Sequence, residues 1–242
     1  MEIAIDNIYI VHALQGYEAH EERLIKIFKD LNLSFEFVTD GSPTLMTDET
    51  KSKYFCKNIN SILSKGALSC TLNHIYCYQK MIENEDKYAV VFENDPFFLT
   101  DFKVAINKIC EEADNLKPGF IISLENSTLR FPSSKEIKKD KLLYKATYGR
   151  CAGAYLIDLQ AAKNIIDYLK NNLCCNVIDL WHNSLINQNI IEMYWAHPPL
   201  VEQGSHNGLM NSPLSTNSKN IARRIKWLAQ KFYKTNIYRH FK

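Results

Sequence analysis

The chain has 242 residues, enough for one well-packed domain with a small extension, and its 46% hydrophobic and 23% charged content is ordinary for a globular protein. Eight Gly and seven Pro exclude a loop-dominated chain, and no apolar run nears the roughly 18 residues that a membrane-crossing helix needs. The net charge of +2 is unevenly spread: eight of the 29 Lys and Arg lie from Lys219 onward with no acid among them, leaving 21 against all 27 acids in the preceding body, a balance of −6.

The opening Met1 to Asp6 has two early acids and no basic stretch, so it does not read as a signal peptide. Seven Cys without a CxxC pair suit a reducing compartment, with the adjacent Cys174 and Cys175 expected as buried small hydrophobes and the chain expected in the cytoplasm. Residues 7–12 (NIYIVH) are a short apolar run that predicts a buried strand. After Gly16, the spacing of Leu24, Ile27, Phe28 and Leu31 predicts a helix, and SFEFVT (34–39) a second strand closed by Asp40-Gly41. Strand, helix and strand within about 35 residues form a βαβ unit with parallel strands, whose carboxyl edge is where ligands of open α/β sheets bind.

Residues 42–63 are weakly patterned, with a short helix expected there. Leu68, Leu72, Ile75, Tyr78 and Ile82 then form a helical stripe over 64–85. KYAVVFEND (87–95) predicts a central strand, followed by a helix at about 101–115 and the strand GFIISL at 119–124. An exposed loop (126–142), two strands (143–148 and 153–158), a helix (159–172) and a last strand EMYWAH (192–197) complete one mostly parallel α/β domain over residues 1–212.

Glu93-Asn94-Asp95-Pro96 carries the strongest chemical signal. Side chains at i and i+2 of an extended segment point the same way, and Pro96 keeps Asp95 out of the helical region, so Glu93 and Asp95 can face one pocket. Paired hard oxygen ligands suit Mg²⁺ or Mn²⁺; a solvated acidic turn is the alternative that these residues alone leave open.

KGALSCTLNHIYCYQKMIENEDKYAVVFENDPFF (65–98) resembles the signature of the family 25 glycosyltransferases: a Gly, a helix holding Ser-His, then a strand ending in Glu-Asp-Asp. IYIVH with Arg23 downstream, FEFVTDG, GAYLIDLQAAKNII, NVIDLWHN and YWAHPPLVEQGSHNG resemble other family segments in order and spacing, over roughly residues 6–208. Two positions depart from the pattern: Asn94 stands for the middle Asp, and Asn73 for the Ser of Ser-His. The resemblance implies a GT-A-like fold, Rossmann-like with a mostly parallel sheet flanked by helices. It implies an inverting transfer from a nucleotide-sugar donor, usually UDP-galactose, to a lipooligosaccharide or lipopolysaccharide acceptor. Glu93, Asp95 and His206 are then the candidate metal ligands, and His12, Arg23, Asp40, Lys65, Asn73, His74 and Asn94 the candidate donor contacts. Inversion requires a base for the acceptor hydroxyl. Asp179, beside Trp181 as a sugar-stacking ring, is the first candidate and Glu125 the second, with Asp95 the carboxylate on which activity most depends. The loss of a carboxylate at Asn94 keeps open a non-catalytic homologue that binds the donor without turning it over.

In residues 213–242, Ile221, Ile225, Leu228 and Phe232 recur at helical spacing among Arg223, Arg224, Lys226, Lys231 and Lys234. A basic amphipathic C-terminal helix suits peripheral association with an anionic inner-membrane surface, where each basic residue contributes about 1 kcal/mol. One short basic helix does not make a nucleic-acid binder.

Overall fold

The computed structural model describes residues 2–127, 132–210 and 220–240. In chain order the elements are β1 (Asn7–Val11), α1 (Glu18–Asp30), β2 (Glu36–Val38), α2 (Asp48–Tyr54), α3 (Ile59–Ile62), α4 (Lys65–Glu83), β3 (Tyr88–Glu93), β4 (Pro96–Phe98), α5 (Phe102–Ala113), β5 (Phe120–Ser123), β6 (Leu143–Ala146), β7 (Ala154–Asp158), α6 (Leu159–Leu169), α7 (Ile178–Asn187), β8 (Glu192–Ala196), β9 (Val201–Gln203), α8 (Gly204–Asn207) and α9 (Asn220–Asn236). Every strand and long helix expected from the hydrophobic pattern is present. The expected domain boundary at 212/213, Lys219 and Lys242 lie outside the described residues.

Among the described residues the main sheet has the order β2-β1-β3-β7-β5-β8-β6. β1 pairs parallel with β2 and β3, and β5 with β8, whereas β7 runs antiparallel between β3 and β5 and β6 antiparallel beside β8. The fold is thus Rossmann-like α/β with a mostly parallel sheet flanked by helices.

Both sheet faces are covered, which explains why the inner strands read as unbroken apolar runs rather than alternating ones. Tyr9, Val11, Ala89, Val91, Tyr155 and Ile157 pack toward α4, α6 and α7. Their neighbours Ile8, Ile10, Val90, Phe92 and Leu156 pack toward α1 and α5. Leu24 and Phe28 of α1 are fully buried there, each contributing about 1.5–3 kcal/mol.

A second, two-stranded ribbon pairs β4 antiparallel with β9, setting Pro96 opposite Gln203. It was not expected from the sequence, because three-residue strands carry no readable period. The ribbon draws residues 203–206 alongside Asp95.

The C-terminal helix is amphipathic as expected, with three of its cations turned toward the body and its apolar stripe toward solvent. Arg223 donates to the Ser205 carbonyl (3.0 Å), Arg224 to the Asn207 carbonyl (3.4 Å), and Lys231 pairs with the buried Glu202 carboxylate. Trp227 is buried, while Ile221 (79% exposed), Ile225, Leu228 and Phe232 face solvent. These three cations face inward, whereas Lys226 is exposed, because α8 ends in open carbonyls and Glu202 is a buried charge in need of a partner. Among the described residues no helix is long and apolar enough to cross a membrane. Cys174 is buried as expected; Cys175 is exposed, and all seven Cys are free thiols.

Candidate functional site

A cavity of about 340 Å³ opens at the carboxyl ends of β1 and β3. Its walls are Val11 to Gln15, Ser42 to Thr44 after β2, Tyr17 and His20 near the start of α1, and one face of α4 from Gly66 to Asn73. Glu93, Asn94, Asp95 and Ser205 close the remaining side. Ser64 caps α4 by accepting from the Ala67 amide (3.2 Å), which fixes where that helix begins against the cavity.

The carboxylates sit where β3 leaves the sheet. Glu93 Oε2 accepts a hydrogen bond from Gln203 Nε2 (2.9 Å), and its Oε1 lies 3.8 Å from His74 Nε2. Burial alone would raise the Glu93 carboxyl, but His74, His206 and the Cys70 thiol outweigh it and hold it below the ordinary range. Asp95 is buried; its Oδ2 accepts from the Ser205 amide (2.7 Å) and its backbone carbonyl from the Gly204 amide (2.8 Å). Its Oδ1 is buried with no hydrogen-bond partner, and burial together with the Glu93 charge raises its pKa. Two carboxylates that line one cavity, one with an orphaned oxygen, offer the hard oxygen donors that a divalent cation takes.

Asn94 turns its amide toward His12 Nδ1 (3.4 Å), and its carbonyl lies 3.3 Å from His20 Nδ1. His12 is buried, which lowers its pKa, and it packs against Phe37. Asn73 is consumed in structure: it donates to the His12 carbonyl (2.9 Å) and accepts from the Gly41 amide (2.7 Å), tying together the chain segments that leave β1 and β2. A Cβ at Gly41 would stand 2.7 Å from that Asn73 oxygen, so the tie requires glycine there. These residues are among the donor contacts expected from the sequence, and the fold brings them to one cavity.

Other candidates lie elsewhere. His74 is fully buried behind Glu93, its Nδ1 2.7 Å from the Tyr155 hydroxyl. Arg23 lies behind the turn, donating to the Pro96 carbonyl (2.6 Å) and stacking on Phe97 at 4.1 Å. Asp40 and Lys65 are exposed and do not line the cavity; the charge of Asp40 bears on Tyr76 and Lys80 on the outer side. Trp181, expected to stack on a sugar, is 4% exposed within the core, because α7 needs an apolar anchor against the sheet.

Glu125 follows β5 and is fully buried. Its Oε2 accepts from the Gly153 amide (3.2 Å), while its Oε1 has no hydrogen-bond partner and lies 4.0 Å from His206 Nδ1. Burial, then the charges of Glu93 and Asp95, push its pKa up to about 8. Asp179 is half-buried in the first turn of α7, where its Oδ1 accepts from the Leu180 amide. Burial raises the thiols of Cys70 and Cys151, and the Asp179 charge adds to it, but Asp179 itself does not line the cavity.

Gln203, Cys70, Tyr155 and Arg150 belong to the site without having been singled out. Gln203 can reach Glu93 only because residue 153 is glycine: a Cβ there would lie 2.2 Å from its Nε2. Cys70 had a readable signal, four residues before His74 on one helix face. Arg150 is buried, donates to the carbonyls of Glu125 (2.7 Å) and Ala196 (3.2 Å), and has its pKa lowered to about 10 by burial.

The sequence profile described as glycosyltransferase family 25 (LPS biosynthesis protein) matches residues 7–180. The chain is similar to a glycosyltransferase 25 family member of Aedes aegypti, 20% identical over 225 residues, covering 85% of this chain and 37% of that protein. It is similar to a putative glycosyltransferase of Haemophilus influenzae, 26% identical over 177 residues, covering 71% of this chain and 60% of the other. The lipooligosaccharide biosynthesis protein lic2B of Haemophilus influenzae is 24% identical over 239 residues, covering 94% and 86%. The chain therefore spans less than two thirds of each of the first two relatives and most of the third.

Proposed function

The chain belongs to glycosyltransferase family 25, and from that membership we propose that it transfers a hexose, galactose from UDP-galactose foremost, to a lipooligosaccharide or lipopolysaccharide acceptor with inversion. The observation that carries this is the Glu93–Asp95 pair at the mouth of β3, with the orphaned Asp95 Oδ1 beside a cavity walled by the ends of β1 and β3.

Glu93 and Asp95, with His206 alongside, are the residues that would hold Mn²⁺ or Mg²⁺. When bound, such an ion neutralises charge on a departing diphosphate. The rest falls to the chain itself. Gln203 and the Ser205 amide fix the two carboxylates, so their geometry is set before the donor arrives. His12, Asn94 and the α4 face give the donor its polar wall. The base must reach the acceptor hydroxyl directly. Half-buried Asp179 meets that need better than Glu125, whose oxygens are enclosed. With a pKa of about 8, Glu125 is mostly protonated at neutral pH, which limits the negative charge gathered around Glu93 and Asp95. The solvent-facing stripe of α9 supports peripheral contact with a membrane that carries the acceptor, chiefly through apolar insertion.

A thermal-shift panel of nucleotide sugars tests this. A donor at 100 times its Kd adds about 2.7 kcal/mol, so the matching sugar should raise the midpoint by roughly 5–10 °C in Mn²⁺. No shift with any donor would refute the proposal. The side chain of Asn94, bound to His12 and not a carboxylate, favours one rival, a donor-binding homologue without turnover. Donor binding without UDP release, and turnover restored by Asn94→Asp, would establish that rival.

A further inference from the structure

We propose that Cys70, His74 and Glu93 form a site for a thiophilic divalent cation of the zinc class, distinct from the hard-cation role of the Glu93–Asp95 pair. Cys70 and His74 stand at i and i+4 on α4, so their side chains share one helix face. Glu93, the last residue of β3, meets them there. Cys70 Sγ lies 3.7 Å and His74 Nε2 3.8 Å from the same oxygen, Glu93 Oε1, and the three ligand atoms all lie within 4.8 Å of one another. A tetrahedral zinc ion with bonds of about 2.0–2.3 Å holds its ligand atoms roughly 3.3–3.8 Å apart, so the triad closes on it by less than about 1 Å.

The surroundings are those of a built site. His74 Nε2 is fully buried and has no hydrogen-bond partner, a condition that a bound ion relieves. The other ring nitrogen is held by the Tyr155 hydroxyl (2.7 Å), which bonds Tyr78 (2.8 Å), which in turn lies 2.7 Å from His182 Nε2. Such outer hydrogen bonds fix the tautomer and ring orientation of a metal-bound histidine. Gln203 occupies Glu93 Oε2 and leaves Oε1 for the triad. Cys70 and Glu93 both line the cavity, so a fourth position faces it and can hold a water.

A thiolate, an imidazole and one carboxylate select zinc, cobalt or cadmium over magnesium or manganese. On binding, the Cys70 S–H bond breaks, its proton leaves to solvent and the sulfur lone pair goes to the ion, with no change of oxidation state. A second thiol-bearing triad, Glu125, Cys151 and His206, also lies within 4.8 Å, but its imidazole is half-exposed and 4.0 Å from the carboxylate, and among the described residues no tyrosine chain like that behind His74 backs it.

Because Glu93 serves both ions, zinc should oppose manganese-supported transfer; that consequence rests on the proposed function, whereas the site itself does not. The test therefore uses a spectrum rather than turnover. The full chain, stripped with chelator and kept reduced with a phosphine, is titrated with Co²⁺. The expected result is a thiolate-to-cobalt charge-transfer band saturating near one equivalent, removed by equimolar Zn²⁺, lost in Cys70→Ser and in Cys70→Ala, and kept in Cys151→Ser. No band in the wild-type chain would overturn the proposal without need of any variant. A band that survives Cys70→Ser, or that is lost in Cys151→Ser, would overturn it equally.

Discussion

Glu125→Gln isolates the electrostatics of the site from its chemistry. The Glu125 carboxyl has its pKa raised from 4.5 to about 8, first by burial and then by Glu93 and Asp95. Below pH 4.5 both the folded and the unfolded chain keep the proton, so the group contributes nothing to stability. Between about 4.5 and 8 the unfolded chain releases the proton and the folded chain retains it, so stability falls as pH rises. Above about 8 the loss is complete. At 1.36 kcal/mol per unit the upper limit is near 5 kcal/mol, and with relaxation around the site we expect roughly 2–4 kcal/mol. Gln keeps the shape and an acceptor for the Gly153 amide without the charge. Urea unfolding in EDTA should therefore give Glu125→Gln a stability advantage over wild type that is small near pH 5 and reaches about 2–4 kcal/mol near pH 8. The other carboxyls with raised pKa values, Asp95 and Asp158, are present in both proteins and largely cancel. An advantage that is the same at both pH values, or that shrinks as pH rises, would refute the argument that Glu125 is buried as an acid.

Gly153→Ala should displace Gln203 and release Glu93 Oε2, because the new Cβ would meet the Gln203 side chain at 2.2–2.5 Å. Overpacking and a lost charged hydrogen bond together cost about 2–4 kcal/mol, or roughly 5–10 °C in the thermal midpoint; a change below about 2 °C would refute it. Ile225→Asp with Phe232→Asp should cut binding to phosphatidylglycerol vesicles at least about tenfold, since both side chains face solvent on α9. Equal flotation of variant and wild type would exclude that face as the membrane contact. Arg223→Ala with Lys231→Ala removes two of the ties from α9 to the segment that holds Asp95. It should lower transfer at saturating donor by about tenfold, and unchanged turnover would show that α9 does not support the site.

The fold was legible wherever periodicity is long. The apolar runs of β1, β3 and β7 and the stripe of α4 each announced an element, because a sheet covered on both faces leaves no polar alternation to confuse the pattern. The carboxylate pair was legible too, since Pro96 and the strand end fixed its placement. What stayed hidden depends on contacts distant in sequence. The β4–β9 ribbon joins segments more than 100 residues apart, and only it brings Gln203 and Ser205 to Glu93 and Asp95. Asn73 lines the cavity and also ties two chain segments, and no local signal marks a side chain as satisfied by backbone. The facing of α9 was not legible for a related reason. Its apolar stripe was plain, but its facing depends on the buried Glu202 and on α8 carbonyls, which drew the cations inward.

The central claim is sugar transfer that depends on the β3-end carboxylates. The direct measurement is UDP release and acceptor mass gain, with purified chain, UDP-galactose, Mn²⁺ and a crude lipooligosaccharide acceptor, for wild type beside Asp95→Ala. We predict a gain of one hexose with stoichiometric UDP in the wild type, and at least a hundredfold less in Asp95→Ala, as about 2.7 kcal/mol or more of transition-state stabilisation is removed. Equal turnover by the two proteins would contradict the account, as would nucleotide consumed without any sugar appearing on the acceptor.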